Sequence, residues 1–210
     1  MQIEYFGHSC FRITSENGIS VVTDPYTGVG YELPKNLSAD IVTVSHGHFD
    51  HNYAEGVHGY QTLLNQTGKY LVNGIEFEGV LTDHDEQEGK LRGKNIIFKM
   101  TIDGKTVCHL GDLGEACSME TVEKIGKVDI LLLPIGGTYT IDAKQAFEYV
   151  AKIKPKIVIP MHYKPLDGKL DITDAKPFLS LFESVATTEK RGVYTPIFTE
   201  ETAIVYMERQ

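Results

Sequence analysis

Apolar positions along this chain fall into short runs, many of them β-branched, and several runs stop at the same kinds of polar residue. Asp40-Ile41-Val42-Thr43-Val44 reads as a buried strand and stops at Ser45-His46. Val80-Leu81-Thr82-Asp83 runs into His84, and Thr106-Val107-Cys108-His109-Leu110-Gly111 runs into Asp112. Ile157-Val158-Ile159-Pro160-Met161 runs into His162, and Val21-Val22-Thr23 runs into Asp24. Five apolar runs therefore end in a His or an Asp. In sheets flanked by helices, ligands gather outside the carboxyl ends of strands. The pattern thus collects candidate chemistry at one rim.

The remaining periodicities outline a mixed fold. Ile3, Tyr5 and Phe11, Ile13 alternate as two strands broken by Gly7-His8-Ser9, and Glu16-Asn17-Gly18 predicts a tight hairpin turn into a strand from Ile19 to Thr23. Residues 26 to 38 have no regular period and suit a rim or lid loop. Between Asn52 and Gln66 the pattern is ambiguous: Leu63 and Leu64 suggest the end of a helix, while Gly56 and Gly59 weaken one. Lys69 to Glu78 holds two short runs about Asn73-Gly74, and Asp103-Gly104 joins Asn95–Ile102 to Lys105–Leu110 in the clearest hairpin of the chain. Ser118 caps a helix continuing from Thr121 to Ile125, and Asp129 to Leu133 is an apolar strand stopped by Pro134. Gly136-Gly137-Thr138-Tyr139 follows as a rim loop. Asp142 to Ile153 has Ala143, Ala146, Phe147, Val150 and Ala151 at helical spacing, and Pro155 ends it. Asp174 to Val185 predicts a final helix with Phe178, Leu181, Phe182 and Val185 on one face, and Ala203 to Met207 a last strand. No linker or low-complexity tract divides the chain, so residues 1–210 read as one domain of mixed α and β structure.

Composition narrows the partners. The chain has 210 residues with 41% hydrophobic content, enough for a real core. No stretch approaches the roughly 18 apolar residues of a membrane span, and Met1-Gln2-Ile3-Glu4-Tyr5 lacks the basic start of a signal peptide. Three cysteines, Cys10, Cys108 and Cys117, leave one unpaired under any disulfide scheme. They are expected as small buried hydrophobes in a reducing cytoplasm. A net charge of -9 and a pI near 5.3 argue against nucleic acid, whose phosphates need clustered Lys and Arg. The expected partner is a small molecule, with neither nucleic acid nor membrane. Oligomeric state leaves no mark in the pattern.

The densest chemistry is Ser45-His46-Gly47-His48-Phe49-Asp50-His51, a His-x-His-x-Asp-His segment with four potential metal ligands in six residues. Imidazole nitrogens suit borderline metals such as zinc, and the carboxylate adds a harder oxygen. One turn cannot complete two coordination shells, so further ligands must come from elsewhere. The bland alternative is a His-rich surface loop binding metal adventitiously, which the other strand-end His and Asp residues disfavour. Asp24 reads either as a turn carboxylate or as an acceptor that fixes a ligand imidazole's tautomer. His8 is either a structural histidine at a turn or part of the site mouth. His58 reads as surface, His109 as structural, and Asp85-Glu86-Gln87-Glu88-Gly89 as a solvated loop.

With these residues in place the sequence resembles the metallo-β-lactamase-fold hydrolases. More narrowly it is similar to the short prokaryotic metal-dependent hydrolases related to ascorbate 6-phosphate lactonases and to N-acylphosphatidylethanolamine phospholipase D. The resemblance spans nearly the whole chain. It rests on Gly7-His8-Ser9, Thr23-Asp24-Pro25, the His46 to His51 motif, Gly111-Asp112, Pro134-Ile135-Gly136-Gly137 and Met161-His162-Tyr163. It implies a four-layer αββα sandwich of α/β class. It also implies that His46, His48 and His84 hold one divalent metal, that Asp50, His51 and His162 hold a second, and that Asp112 bridges them. Asp24 would support a ligand imidazole. A bridging hydroxide would be the nucleophile, because coordination lowers a water pKa to about 7, and Asp50 would help orient or deprotonate it. His8, Thr138, Tyr139, Tyr163 and Lys164 are the candidate substrate contacts.

The expected activity is therefore a dinuclear metal-dependent hydrolase acting on a small ester, lactone or phosphoester. Zinc fits the histidines best, and Asp50 and Asp112 also suit manganese or iron. Two other readings stand beside it. A di-metal redox protein of the flavodiiron type would carry a carboxylate where this chain has His48. A non-catalytic metal- or partner-binding protein would be expected to have lost ligands, and this set is complete. Asp112 replaces the cysteine of one large group of true β-lactamases, so the fold's name does not imply β-lactam cleavage.

Overall fold

The computed structural model describes residues 1–182, 187–189 and 192–210. Its elements, in chain order, begin with β1 (Gln2–Gly7), β2 (Cys10–Thr14), β3 (Ser20–Thr23), β4 (Ile41–Thr43), a 3₁₀ turn (Ala54–Gly56), β5 (Thr62–Leu64), β6 (Gly68–Val72) and β7 (Ile75–Asp83). They continue with β8 (Lys94–Ile102), β9 (Lys105–His109), α1 (Met119–Ile125), β10 (Ile130–Pro134), α2 (Ala143–Ile153), β11 (Ile157–Met161), α3 (Lys176–Leu179), β12 (Thr187–Glu189), β13 (Val193–Tyr194) and β14 (Ala203–Met207). Two sheets result. One has strand order β13-β1-β2-β3-β4-β5 and the other β12-β14-β11-β10-β9-β8-β7-β6.

Alternation assigns each face. In the first sheet Ile3, Val21 and Ile41 point into the core shared with the second sheet, while Phe6, Val22 and Val42 point the other way. This is the period-two consequence of strand geometry. Strand β10 lies between two parallel neighbours, and Ile130, Leu131, Leu132 and Leu133 are all fully buried. A continuous apolar run is what a doubly covered parallel strand requires. Helix α2 packs Ala146, Tyr149 and Val150 into the same core, and its N-terminus is closed by a capping box between Asp142 and Gln145.

The sandwich implied by the resemblance is present, with one outer layer thinner than αββα suggests. The outward side of the six-stranded sheet is covered by Tyr26, Val29 and Leu37 from the long loop and by Ala54 of the 3₁₀ turn. Among the described residues α1, α2 and α3 all belong with the other sheet's core. Two further expectations change. Leu63 and Leu64 end no helix but lie in β5, paired in parallel with β4, because an apolar pair beside an open edge strand gains a full ladder. The helix expected over Asp174–Val185 is only Lys176–Leu179, with Pro177 in its first turn. Phe178 is buried, Leu181 is exposed, Phe182 is half-buried, and Val185 lies outside the described residues.

Strand direction explains where the chemistry collects. β3 and β4 are parallel, and β1 reaches β3 through two antiparallel steps, so β1, β3 and β4 all run one way. β7 reaches β9 through two antiparallel steps, and β9, β10 and β11 are parallel. The carboxyl ends that deliver His8, Asp24, the His46 segment, His84, Asp112 and His162 therefore share one edge of the sandwich.

Candidate metal centre

The His46 to His51 segment is held from below by Asp24. The Asp24 carboxylate accepts the Ser45 backbone N–H (2.8 Å), the Ser45 hydroxyl (2.5 Å) and the His51 Nδ1–H (2.8 Å). With its own proton given to Asp24, Ser45 Oγ is the acceptor for His46 Nδ1, 2.9 Å away. Both imidazoles are thereby fixed in the tautomer that leaves Nε2 free, the arrangement by which outer carboxylates orient metal-binding histidines. Asp24 does this from the left-handed region, at φ 39°, and His8 and His162 share that region at φ 53° and 52°. Strained backbone outside glycine concentrates at functional sites.

Asp112 sits at the centre. Its backbone N–H donates to Asn95 Oδ1 (2.9 Å), while Asn95 Nδ2 donates to Leu110 O and Thr82 Oγ1, both at 2.9 Å. Asn95 is fully buried at the start of β8 and locks the turn after β9. Held this way, Asp112 Oδ2 lies 3.2 Å from His84 Nε2, 3.3 Å from His162 Nε2 and 3.7 Å from His46 Nε2, and Oδ1 lies 3.1 Å from His51 Nε2. Four histidines from three separate segments thus face one carboxylate.

Candidate ligand atoms fall into three groups, each with all members within 4.8 Å of one another: His46, His48 and His84; His8, Asp50, His51 and His162; and His46, His51 and Asp112. The geometry brings together every residue expected as a ligand. It also adds His8, which is 1% exposed, with Nε2 3.2 Å from both Asp50 Oδ2 and His51 Nε2.

The donor set fits divalent cations. His46 Nε2, His84 Nδ1, both ring nitrogens of His162 and Asp112 Oδ1 are buried without a hydrogen-bond partner. Each such orphan costs about 1–3 kcal/mol if left unsatisfied, and His46 Nε2, His162 Nε2 and Asp112 Oδ1 gather at the Asp112 carboxylate, where a cation would satisfy them. Burial pushes His46 down to about 3, helped by the neighbouring His51, and its imidazole is neutral with a lone pair to give. Burial likewise takes His8 down to about 4, with His162 adding to it. For His51, burial works downward, but the flanking Asp112 and Asp24 carboxylates win and raise its affinity for a proton. Burial works upward on Asp50 and Asp112 and is outweighed. His8 and His51 hold Asp50 below the ordinary carboxyl range, and His162 and His51 do the same for Asp112. Both acids are therefore acceptor carboxylates at neutral pH.

A cavity of about 330 Å³ opens over this centre. His48, Asp50, His84 and Asp112 form its floor, and Phe49, Arg92, Tyr139 and Leu170 form its walls. A larger hollow of about 530 Å³, between Lys69, Glu78 and Lys99, contains none of the clustered histidines. Chemistry rather than size therefore marks the site.

Among the expected substrate contacts, Tyr139 lines the cavity, and Thr138 is exposed beside it in an adjoining hollow shared with His84 and Arg92. The others are corrected. His8 is not at the mouth but inside the ligand cluster. Tyr163 is buried in the core, its hydroxyl donating to Met207 O (2.9 Å) and its ring packed with those of Tyr5 and Tyr206. Lys164 is exposed and outside the cavity wall, its backbone N–H donating to Thr173 O at 2.9 Å. His109 is structural as expected: Nε2–H donates to Ser9 O (2.8 Å) and Nδ1 accepts from Gly111 N (3.1 Å). Sequence reasoning missed Arg92, Phe49 and Leu170. It also missed Asn95, whose signal was a lone amide opening an apolar strand.

A sandwich of two mixed sheets with a His/Asp cluster at one edge defines a class, and the comparisons agree. The family model described as "Beta-lactamase superfamily domain" matches residues 2–162, and the chain belongs to that superfamily. A Thermoplasma acidophilum UPF0173 metal-dependent hydrolase is 32% identical, covering 89% of this chain and 93% of its own. A Carboxydothermus hydrogenoformans relative of the same name is also 32% identical, covering 78% and 84%. Within the superfamily, the chain is a member of the UPF0173 metal-dependent hydrolase family. Among solved structures, a candidate Zn-dependent hydrolase of the metallo-beta-lactamase superfamily from Thermotoga maritima superposes with a TM-score of 0.80 at 37% identity, covering 100% of this chain and 99% of its own.

Proposed function

We propose that the chain is a dinuclear metal-dependent hydrolase, with zinc the best-suited ion, acting on a small ester, lactone or phosphoester. The observation that carries this reading is the Asp112 carboxylate with four imidazole Nε2 atoms around it, 3.1 to 3.7 Å away. His46, His48 and His84 would hold one ion, Asp50, His51 and His162 the other, and Asp112 would lie between. When bound, two divalent ions would supply polarisation of the scissile carbonyl or phosphoryl oxygen and activation of water.

The chain's own residues do the rest. Asp24 and Ser45 keep His51 and His46 in the ligand tautomer. Asp50, with one oxygen accepting from His8, orients a water in the cavity floor and can take its proton. Phe49, Tyr139 and Leu170 give the cavity an apolar wall against which a substrate's carbon skeleton can lie. The relatives named metal-dependent hydrolases support the hydrolytic reading over a redox one, as does His48 in place of a carboxylate. Among the described residues no helix is long and apolar enough to cross a membrane. Free, buried Cys10 and Cys108 favour a reducing compartment.

The test is a panel of 4-nitrophenyl esters, lactones and phosphodiesters assayed on zinc-loaded protein, chelator-stripped protein and stripped protein with zinc restored. Turnover lost on stripping and recovered on reloading is expected. Turnover indifferent to the chelator, with zinc demonstrably removed, would overturn the assignment.

A further inference from the structure

Among the described residues the arginines divide into two kinds. Arg12 donates to Glu4 at 2.6 and 2.8 Å, and Arg209 donates to Asp167 at 2.8 Å. Arg92 has no carboxylate partner among the described residues, although it stands in the wall of a cavity whose floor is the candidate metal centre. Its guanidinium lies 5.5 Å from the centre of the Tyr139 ring, which limits its movement. Its backbone is held as firmly: the buried Asp85 carboxylate accepts N–H bonds from Gln87 (2.8 Å), Gly89 (3.1 Å), Leu91 (3.0 Å) and Arg92 itself (2.8 Å). The acidic segment is solvated as expected at Glu86, Gln87 and Glu88, while its first residue, Asp85, is buried and forms a fixed mount for this arginine. A guanidinium pre-set over a cavity, with its planar fork of donors unspent, is built to receive two oxygens of one anion.

We propose that Arg92 determines specificity by binding a carboxylate or phosphate group of the substrate, remote from the bond cleaved over Asp112 and His84. This rests on the hydrolase reading above and adds the substrate class: a small anion whose apolar middle lies against Phe49 and Leu170. The cavity volume of about 330 Å³ is at the lower limit of small-molecule sites and suits such a compound.

Calorimetry on the full-length, zinc-loaded protein tests this with three probes of equal length: butyrate, succinate and 3-phosphonopropionate. The metal centre can take one carboxylate from each, and only the second and third carry another anion for Arg92. At least one dianion is expected to bind about tenfold tighter than butyrate or better. Arg92→Met should erase that gap with butyrate affinity unchanged, and Arg92→Lys should restore part of it. The dianion with the larger gap identifies carboxylate or phosphate as the group recognised. Circular dichroism of Arg92→Met should match the parent, since the side chain makes no hydrogen bond that holds the fold. Equal binding of all three probes by the parent, or a gap that survives Arg92→Met, overturns the proposal. Zinc content of the same samples separates the two failures. Bound zinc without a gap removes only the role of Arg92, whereas protein that takes up no zinc and shows no gap removes the hydrolase reading as well.

Discussion

Asp112→Asn is expected to leave the chain folded while removing at least one metal ion and most of the hydrolysis. The amide is close to the carboxylate in size, so packing around this 2%-exposed position barely changes. The charge does change, and so does the ability of both oxygens to face cations. Losing an outer-shell partner of a metal site already lowers affinity or activity by about 10–100-fold. Removing the carboxylate that His46, His51, His84 and His162 all face should exceed about 100-fold on the same scale. His109→Asn is the control. It gives up at least one of two buried hydrogen bonds and should lower stability by about 1–3 kcal/mol, with metal content unaltered. Zinc content and circular dichroism for both variants check this. Two tightly held ions in Asp112→Asn, with one lost from His109→Asn, would reassign the bridge.

Gly111→Ala should be among the most damaging single-methyl additions in the molecule. Gly111 has φ +56°, and a Cβ there would stand 2.6 Å from Ser45 Cβ and 2.9 Å from Ser45 Oγ, and would also overlap Asn95 Oδ1. The left-handed backbone alone costs a non-glycine residue about 1–2 kcal/mol, and overpacking adds about 1–3 kcal/mol. The damage falls on Ser45 and Asn95, which orient His46 and Asp112. Metal affinity should therefore drop along with a melting temperature lower by roughly 5–15 °C. Gly104→Ala offers the contrast, since its φ of +71° carries the backbone strain with nothing within 4 Å of the added methyl. A melting shift in Gly111→Ala no larger than in Gly104→Ala would show that the turn beneath Asp112 yields more easily than its contacts imply.

What the sequence made legible was periodic or punctuated. The runs ending at Asp24, His46, His84, Asp112 and His162 are strands whose carboxyl ends share an edge. The hairpin at Asp103-Gly104 is present with both residues at positive φ. Local signals failed where tertiary partners decided. Leu63 and Leu64 carry too little pattern to distinguish a helix end from the edge strand that β4 makes of them. Tyr163 looked like a rim residue because it follows His162, but its ring packs with Tyr5 and Tyr206 in the core, contacts between segments far apart in sequence. His8 ends a sixth strand of the same kind, and only the pairing of β1 through β2 to β3 shows that its end meets the others. Arg92 belongs to no motif. Its placement comes from Asp85 folding a short loop around four backbone N–H groups, which no periodicity announces.

The most direct test is anomalous diffraction at the zinc edge on crystals of the zinc-loaded protein. Two peaks per chain are expected, one among His46, His48 and His84 and the other among Asp50, His51 and His162, with Asp112 touching both. A single peak, or a pair in which Asp112 touches neither or only one, would contradict the dinuclear account.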